Sequence, residues 1–258
     1  MKDKLTVIKV GGKIVEEEAS LNSLLRDFAA IEGFKLLVHG GGRSATKIAA
    51  ALGVETVMVD GRRVTDDAML DVVTMVYGGL VNKKVVARLQ GLGVDALGMT
   101  GADMDIIRSH KRPVKTVDYG WVGDVDHVNG EALASLLRSG VVPVIAPLTH
   151  DGDGHLLNTN ADTMAGETAK GLAPYFDVTL VYCFEKPGVL RDENDDNSVI
   201  AEIDTAMFEK LRNDGIVTGG MLPKLENALD AVGKGVSEVV ITRASALDNL
   251  DGGTHIRL

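Results

Sequence analysis

Short β-branched runs alternate along the chain with longer stretches whose apolar residues recur at helical spacing. That alternation predicts parallel strands joined by crossover helices, an α/β fold. Strands are predicted at 5–10, 35–38, 55–59, 94–97, 142–146, 178–182 and 238–242. Several are apolar throughout, as strands covered on both faces should be. Helices are predicted at 17–31, 44–52, 66–92, 130–138, 161–172, 204–213 and 221–233. The longest carries Met69, Val72, Val73, Met75, Val76, Leu80 and Val81. This apolar surface is broader than the ~100° stripe that one packed face explains, so part of it is expected to face another subunit. The alternative is a helix sunk deep in its own domain.

Two segments break the alternation. Residues 105–125 are polar, carry Arg108, Lys111, Arg112 and Lys115, then turn through Asp118, Gly120 and Gly123, and so read as antiparallel hairpins. Residues 191–198 (RDENDDNS) form an acidic stretch between two short apolar runs, again hairpin-like. Asp192, Asn194 and Asp196 alternate as calcium ligands would, but Asn197 and Ile203 stand where such a loop needs Gly and a bidentate Glu. A solvated loop is the reading. The run His150-Asp151-Gly152-Asp153-Gly154-His155 is explained as a turn, without a metal.

Composition narrows the function. In 258 residues, 27 Lys+Arg against 37 Asp+Glu give a net charge of −10, which disfavours a phosphate-backbone partner, and one Trp, four Tyr and five Phe leave little for base stacking. Nucleic-acid binding is not expected. Cys183 is the only cysteine, excluding an intramolecular disulfide and a cysteine-based zinc site and pointing to a reducing cytoplasm. No stretch approaches 18 uninterrupted apolar residues and the N-terminal apolar run is too short for a signal peptide, so neither membrane insertion nor secretion is expected. Thirty glycines, many in clusters, point to close backbone approach to a ligand.

Four polar or glycine-bearing junctions follow strands or open helices, where α/β folds bind ligands. Lys9 lies in an otherwise apolar strand that runs into Gly11 and Gly12, so its charge must reach a cleft or a partner unless the strand end is simply exposed. His39-Gly40-Gly41-Gly42 joins a buried strand to a helix, where consecutive amides can cradle an anion; it fits neither GxxxxGK[ST] nor GxGxxG. Asn158-Thr159-Asn160-Ala161-Asp162 opens a helix; Asn160 can cap it and Asp162 can offset its positive end, with chemistry as the alternative. Finally, Gly219-Gly220-Met221-Leu222-Pro223-Lys224 places a lysine at a helix's positive end, which is unfavourable unless an anion sits there. A solvated lysine is the bland alternative. A phosphate held between Lys9, Lys224 and glycine-loop amides reconciles these observations.

In order along nearly the whole chain, KVGG (9–12), HGGG (39–42), GRRVT (61–65), VNKKVV (81–86), GWVGDV (120–125), NTNAD (158–162) and GGMLPK (219–224) resemble the amino acid kinase family and its acylglutamate-phosphorylating branch. The resemblance implies a three-layer αβα sandwich around a mostly parallel open sheet of about eight strands. Residues 1–174 would bind the acyl-amino acid and 175–258 the nucleotide. It implies ATP-dependent phosphorylation of the γ-carboxylate of N-acetyl-L-glutamate, or a related N-acylglutamate such as N-succinylglutamate, in arginine biosynthesis. Mg²⁺ would be carried on the nucleotide, with no protein-held metal.

Residue by residue, the resemblance implies that Lys9 and Lys224 flank the transferring phosphoryl and that Asp162 orients both. Gly41 and Gly42 would give amides to the substrate, and Arg63 and Asn158 would grip its acylated amino-acid end. Arg63 has a bland alternative, a surface pairing with Asp60 or Asp66. Nucleotide contacts are implied at Gly11, Gly12, Glu185, Lys186, Pro187, Gly188, Val189, Leu190, Ile216, Val217 and Thr218. Glu185 stands where the family usually has Asp. Family members dimerise through the helix corresponding to 66–92, so a homodimer is expected. Only eight residues precede Lys9, so the additional N-terminal helix of arginine-inhibited members, and inhibition by arginine, are not expected. The rivals are a family kinase with a different acceptor and a non-catalytic nucleotide or amino-acid sensor on the same fold.

Overall fold

The computed structural model describes residues 2–59 and 61–258. Its first half runs β1 (Lys4–Val10), α1 (Gly12–Glu16), α2 (Glu18–Ala30), β2 (Phe34–His39), α3 (Gly42–Ala51), the short pair β3 (Met58–Val59) and β4 (Arg62–Arg63), α4 (Asp67–Val73), a π-helical segment (Thr74–Val81), α5 (Asn82–Gly91), β5 (Ala96–Met99), β6 (Ile107–Lys111) and β7 (Gly123–Val128). The second half runs α6 (Gly130–Arg138), β8 (Val142–Ile145), β9 (Leu148–His150), β10 (Leu156–Asn158), α7 (Ala161–Leu172), β11 (Asp177–Phe184), β12 (Glu202–Ile203), α8 (Thr205–Asn213), α9 (Met221–Gly233), β13 (Glu238–Arg243) and β14 (Thr254–Ile256).

Eight strands form one continuous sheet in the order β12-β14-β13-β11-β1-β2-β8-β5. From β13 to β5 every neighbouring pair is parallel; β14 runs antiparallel to β13 and β12 parallel to β14. The period-2 alternation of β1 divides the core. Leu5 and Val7 pack with Leu133, Leu172 and Leu225 from α6, α7 and α9. Ile8 and Val10 pack with Leu24, Phe28, Val72 and Val85 from α2, α4 and α5. Helices therefore cover both faces, the αβα sandwich that the family resemblance implies. By the same alternation Lys9 takes the next slot on the α7/α9 face, beyond Val7.

A second sheet, β10-β9-β6-β7, stands beside the first. The hairpin expected within 105–125 is the antiparallel pair β6/β7. The one expected around 191–198 is closed by an antiparallel bridge between Leu190 and Val199. The His150–His155 run is the β9–β10 turn, in which Asp151 Oδ1 accepts from the amides of Asp153 and His155 at 2.8 and 3.1 Å.

Three expectations need correction. The strand expected at 55–59 shrinks to Met58–Val59, paired only with Arg62–Arg63. Val57 and Met58 are exposed, so no burial reinforces a longer strand. Helix α1 and strands β9 and β10 were not expected, because elements of five and three residues are too short to show a period. The helix expected at 66–92 is divided by its π-helical middle. Met69, Val73, Tyr77, Val81, Val85 and Leu89, each four residues from the last, are all buried. On an α-helix such a row drifts by about 40° per step. The wider i→i+5 turn takes back part of that drift and keeps the row on the core. Much of the apolar breadth thus serves the helix's own domain; Met75, Leu80 and Leu92 remain exposed.

Candidate active site

Strand β1 delivers Lys9 and helix α7 delivers Asp162 to the same point, with Lys9 Nζ 2.7 Å from Asp162 Oδ1. Lys9 is only 7% exposed. The contact is an ion pair rather than an aligned hydrogen bond, since that buried oxygen accepts none. Asp162 is held there by the helix start: Asn160 caps α7, its Oδ1 accepting from Asp162 N at 2.8 Å and Thr163 N at 3.1 Å. Asn160 therefore has the capping role expected from sequence, and Asp162 is free for the lysine. A Cβ on Gly11 would lie 3.5 Å from Lys9 Nζ, in ordinary van der Waals contact with it.

Lys224, in the first turn of α9, points its Nζ at the face of Phe184, 3.9 Å from the ring centroid. Burial holds its pKa below the ordinary lysine value, Asp162 pulls it back up, and Lys9 pushes it down. Among the described residues one carboxylate serves two ammonium groups. One positive charge is left uncompensated at the positive end of a helix, an arrangement that favours an anionic ligand.

A cavity of about 180 Å³ opens beside this pair, lined by Gly40, Gly41, Gly42, Arg63, Tyr77, Asn158 and Asn160 among others. Gly40 N donates to Val10 O at 2.9 Å. The amides of Gly41 and Gly42 belong to the start of α3, where a helix leaves its first N–H groups without internal partners. Arg63 is buried, and its fork is used on both sides: Nη2 donates to Gly42 O at 2.8 Å and Thr46 Oγ1 at 2.9 Å, Nη1 to Thr56 Oγ1 at 3.3 Å. It pairs with no carboxylate among the described residues; Asp66 instead caps α4 through Met69 N, and Asp60 lies outside them. A buried guanidinium facing a cavity with only neutral partners suits a carboxylate ligand. Asn158 Nδ2 donates to Thr65 Oγ1 at 3.0 Å, tying the strand end to the segment that carries Arg63.

A second cavity, of about 350 Å³, is lined by Lys186, Gly188, Val189, Leu190, Ile216, Val217, Thr218 and Met221, with Glu193 and Asn194. Seven of these ten residues lie in the two segments expected to meet nucleotide. Glu185 is not on its wall: Glu185 Oε2 accepts from Lys13 Nζ at 3.3 Å across a different groove. Pro187 and Gly11 do not line it either, and Gly12 is the first residue of α1.

Sequence reasoning missed the supports of this site. His39 is fully buried; its Nδ1–H donates to Gly40 O at 2.7 Å, and its Nε2 accepts from Asn82 Nδ2 at 3.1 Å. Asn82 Nδ2 also donates to Val144 O at 2.9 Å, which fixes the amide's orientation and hence the imidazole tautomer. Tyr77, from the π segment, lies so close to the loop that a Cβ on Gly41 would meet its ring at 2.9 Å. The second glycine of the triplet is there to clear an aromatic ring. HGGG and VNKK were visible as motifs, but nothing in either indicates that they touch.

Burial lowers the His39 pKa to about 4, so the imidazole is neutral in the folded protein at neutral pH. The unfolded chain takes up this proton near pH 6.5, the folded one only near 4. Between those values the unfolded state binds more protons, and stability falls as pH falls, by about 3 kcal/mol in all. Urea unfolding of wild type and His39→Gln from pH 7 to 4 should show the steeper loss in wild type. Parallel curves would refute a buried neutral imidazole.

Buried cationic groups, helix-start amides and two cavities on an αβα sheet give the site the charge and shape that anionic ligands require. The chain belongs to the amino acid kinase family, whose model matches residues 4–243. Its relatives include the acetylglutamate kinase of Bacteroides fragilis, 69% identical over 257 residues that span 100% of this chain and 98% of that protein. The acetylglutamate kinase of Phocaeicola vulgatus is 68% identical with both chains fully covered. Among solved structures, a protein from Streptococcus mutans UA159 superposes with a TM-score of 0.80 at 29% identity, with 98% of each chain covered.

Proposed function

We propose that this chain phosphorylates the γ-carboxylate of N-acetyl-L-glutamate with ATP, giving ADP and N-acetyl-L-glutamyl 5-phosphate in arginine biosynthesis. The observation that carries the reading is the Lys9–Asp162–Lys224 group between two cavities. One cavity ends at Asn160 and Ala161, directly before Asp162; the other includes Met221, one helical turn before Lys224. An acceptor bound at the first and a nucleotide at the second meet at the two ammonium groups. The names of the relatives supply the acyl-amino acid.

The chemistry asks little of the protein beyond position and charge. The γ-carboxylate is already ionised, so its oxygen attacks the γ-phosphorus without giving up a proton. The bond from phosphorus to the bridging oxygen breaks, and ADP leaves with that electron pair. Negative charge shifts along this axis, and Lys9 and Lys224 stay fixed to meet it. Asp162 keeps the two like charges near one another. Cys183 plays no part, being fully buried with its thiol pushed up to about 12 by burial.

Magnesium would arrive on the nucleotide and would supply positive charge to neutralise its phosphates. Among the described residues no group of three or more His, Cys, Asp or Glu is placed to hold an ion. Residues 1–174 carry the acceptor's contacts, Gly41, Gly42, Arg63 and Asn158. Residues 175–258 carry those of the nucleotide from Lys186 to Leu190 and from Ile216 to Thr218. No helix among the described residues is long and apolar enough to cross a membrane. The proposed biosynthetic reaction uses small-molecule substrates, for which the cytoplasm is the proposed location. A homodimer through the helical region 66–92 would cover Met75, Leu80 and Leu92. Light scattering at micromolar concentration should give twice the 27.3 kDa chain mass; a monomer mass would reject the dimer.

Release of ADP with N-acetylglutamate, N-succinylglutamate and free glutamate as acceptors tests the whole proposal. Turnover with the acylated acceptors, and N-acetylglutamate best, is expected. Inactivity on all three would overturn it.

Arg63 gives a finer test of how the acceptor lies. The non-reacting α-carboxylate keeps its charge throughout, so a group that binds it supports ground and transition states about equally. Arg63→Lys loses the planar fork and should raise the acylglutamate KM about tenfold or more, with kcat changed severalfold at most and the ATP KM unmoved. A loss lying wholly in kcat, or mainly in the ATP KM, would put Arg63 on the phosphates instead.

A further inference from the structure

We infer that Phe184 is a positioning residue for phosphoryl transfer, its ring being the floor on which the Lys224 and Lys9 ammonium groups are held for the phosphates. The inference rests on the phosphoryl-transfer reading above and adds to it a residue that neither the motifs nor the relatives' names indicate. Lys224 Nζ lies 3.9 Å from the ring centroid and Lys9 Nζ 5.3 Å. Both fall within the ~6 Å over which a cation is drawn to an aromatic face.

The ring is itself held. Phe184 is the last residue of β11, and it stacks on Tyr182 with centroids 6.1 Å apart and planes inclined by 17°. Tyr182 in turn donates its hydroxyl to the backbone oxygen of Asp162 at 3.2 Å. Because β1 and β11 are parallel neighbours with Lys9 opposite Tyr182, Phe184 falls one pleat further on the same face, beneath the lysine's reach. The ring, both ammonium groups and the carboxylate form one connected unit built from β1, β11, α7 and α9.

The chemistry explains why an aromatic ring suits this place. Asp162 lies 2.7 Å from Lys9 and leaves Lys224 without a close carboxylate of its own among the described residues. A second carboxylate would steady Lys224, but it would also cancel the charge that the phosphates need. The face of a phenyl ring attracts an ammonium through its quadrupole and carries no formal charge. Lys224 can therefore be held in a half-buried place at full strength toward an incoming anion. The apolar ring also keeps water from the underside of the ammonium, which strengthens its interaction with phosphate on the open side.

Replacement of Phe184 by its mono-, di- and trifluorinated analogues keeps the side chain's shape while draining the ring face stepwise. The expected result is a progressive fall in kcat along the series, with the acylglutamate KM unchanged. Phe184→Leu should end about threefold to thirtyfold below wild type, the span of a cation–π contact between exposed and desolvated settings. A second readout needs no turnover: in spectra of protein labelled at lysine Cε, the Lys224 methylene protons should lie upfield of surface lysines through the ring current, and should return to the ordinary position in Phe184→Leu. A flat kcat across the fluorinated series, or an unshifted Lys224 signal in wild type, would overturn the role of Phe184. Wild type inactive on every acylglutamate would instead overturn the proposed reaction, so the two failures are distinguishable.

Discussion

Lys224→Ala should lower kcat by two decades or more while the acylglutamate KM changes only severalfold. The ammonium stands in the first turn of α9, over the Phe184 ring, with no close carboxylate of its own among the described residues. Its charge acts most strongly when negative charge moves from the γ-phosphoryl toward the bridging oxygen. A group that acts in the transition state more than in the ground state shows its loss in kcat. Removing it relieves the helix of a cation at its positive end and also loses the contact with Phe184, so the two effects offset and the variant is expected to fold with stability close to wild type. Steady-state kinetics with both substrates varied, alongside a urea melt, check both halves. A variant retaining more than about a tenth of wild-type kcat would end the proposed clamp.

Lys9→Ala should cost a similar factor in kcat, and here stability should fall as well. Its partner Asp162 is left with a mostly buried carboxylate, although one side is open and Lys224 is near. Breaking a fully buried pair by removing one partner costs about 3–5 kcal/mol, and the partial exposure here brings the expectation to about 1–3 kcal/mol. The double variant Lys9→Ala with Asp162→Asn removes the orphaned charge. It should regain much of the stability and none of the activity. If Lys9→Ala unfolded at the same urea concentration as wild type, the 2.7 Å pair would carry no structural weight. If the double variant regained turnover, Lys9 would be only a spacer for Asp162.

Much of the site could be read from residue types set against their local pattern. Lys9 stood out because a charge occupies an apolar pleat, and the structure leaves it 7% exposed beside its one carboxylate. Lys224 stood out because a cation sits at a helix start. Arg63 was legible as a motif member, yet its burial and its neutral partners Gly42, Thr46 and Thr56 were not. His39 and Asn82, 43 residues apart, meet across β2 and α5, and neither has an anomaly in its own segment that announces the other. Phe184 lies two residues beyond the strand expected at 178–182, nothing in its own segment marks it, and its proposed role depends wholly on what lies over it. Glu185 shows the converse. Its place in the chain suggested nucleotide, whereas its side chain turns to Lys13.

By itself the sequence determined the alternation of strands and helices, the sheet's doubly covered character and the points where charge leaves an apolar run. These depend on periods of 2 and 3.6 and on the cost of burying a charge, properties that act over a few residues. Only the tertiary structure decided that the 66–92 helix passes through a π segment, so that Met69, Val73, Tyr77 and Val81 stay on one line against the core. It alone set Tyr77 against Gly41, His39 against Asn82, and one carboxylate between two lysines. Such contacts join residues far apart in the chain, and their distances follow from how whole elements pack, a quantity that no local window of sequence contains.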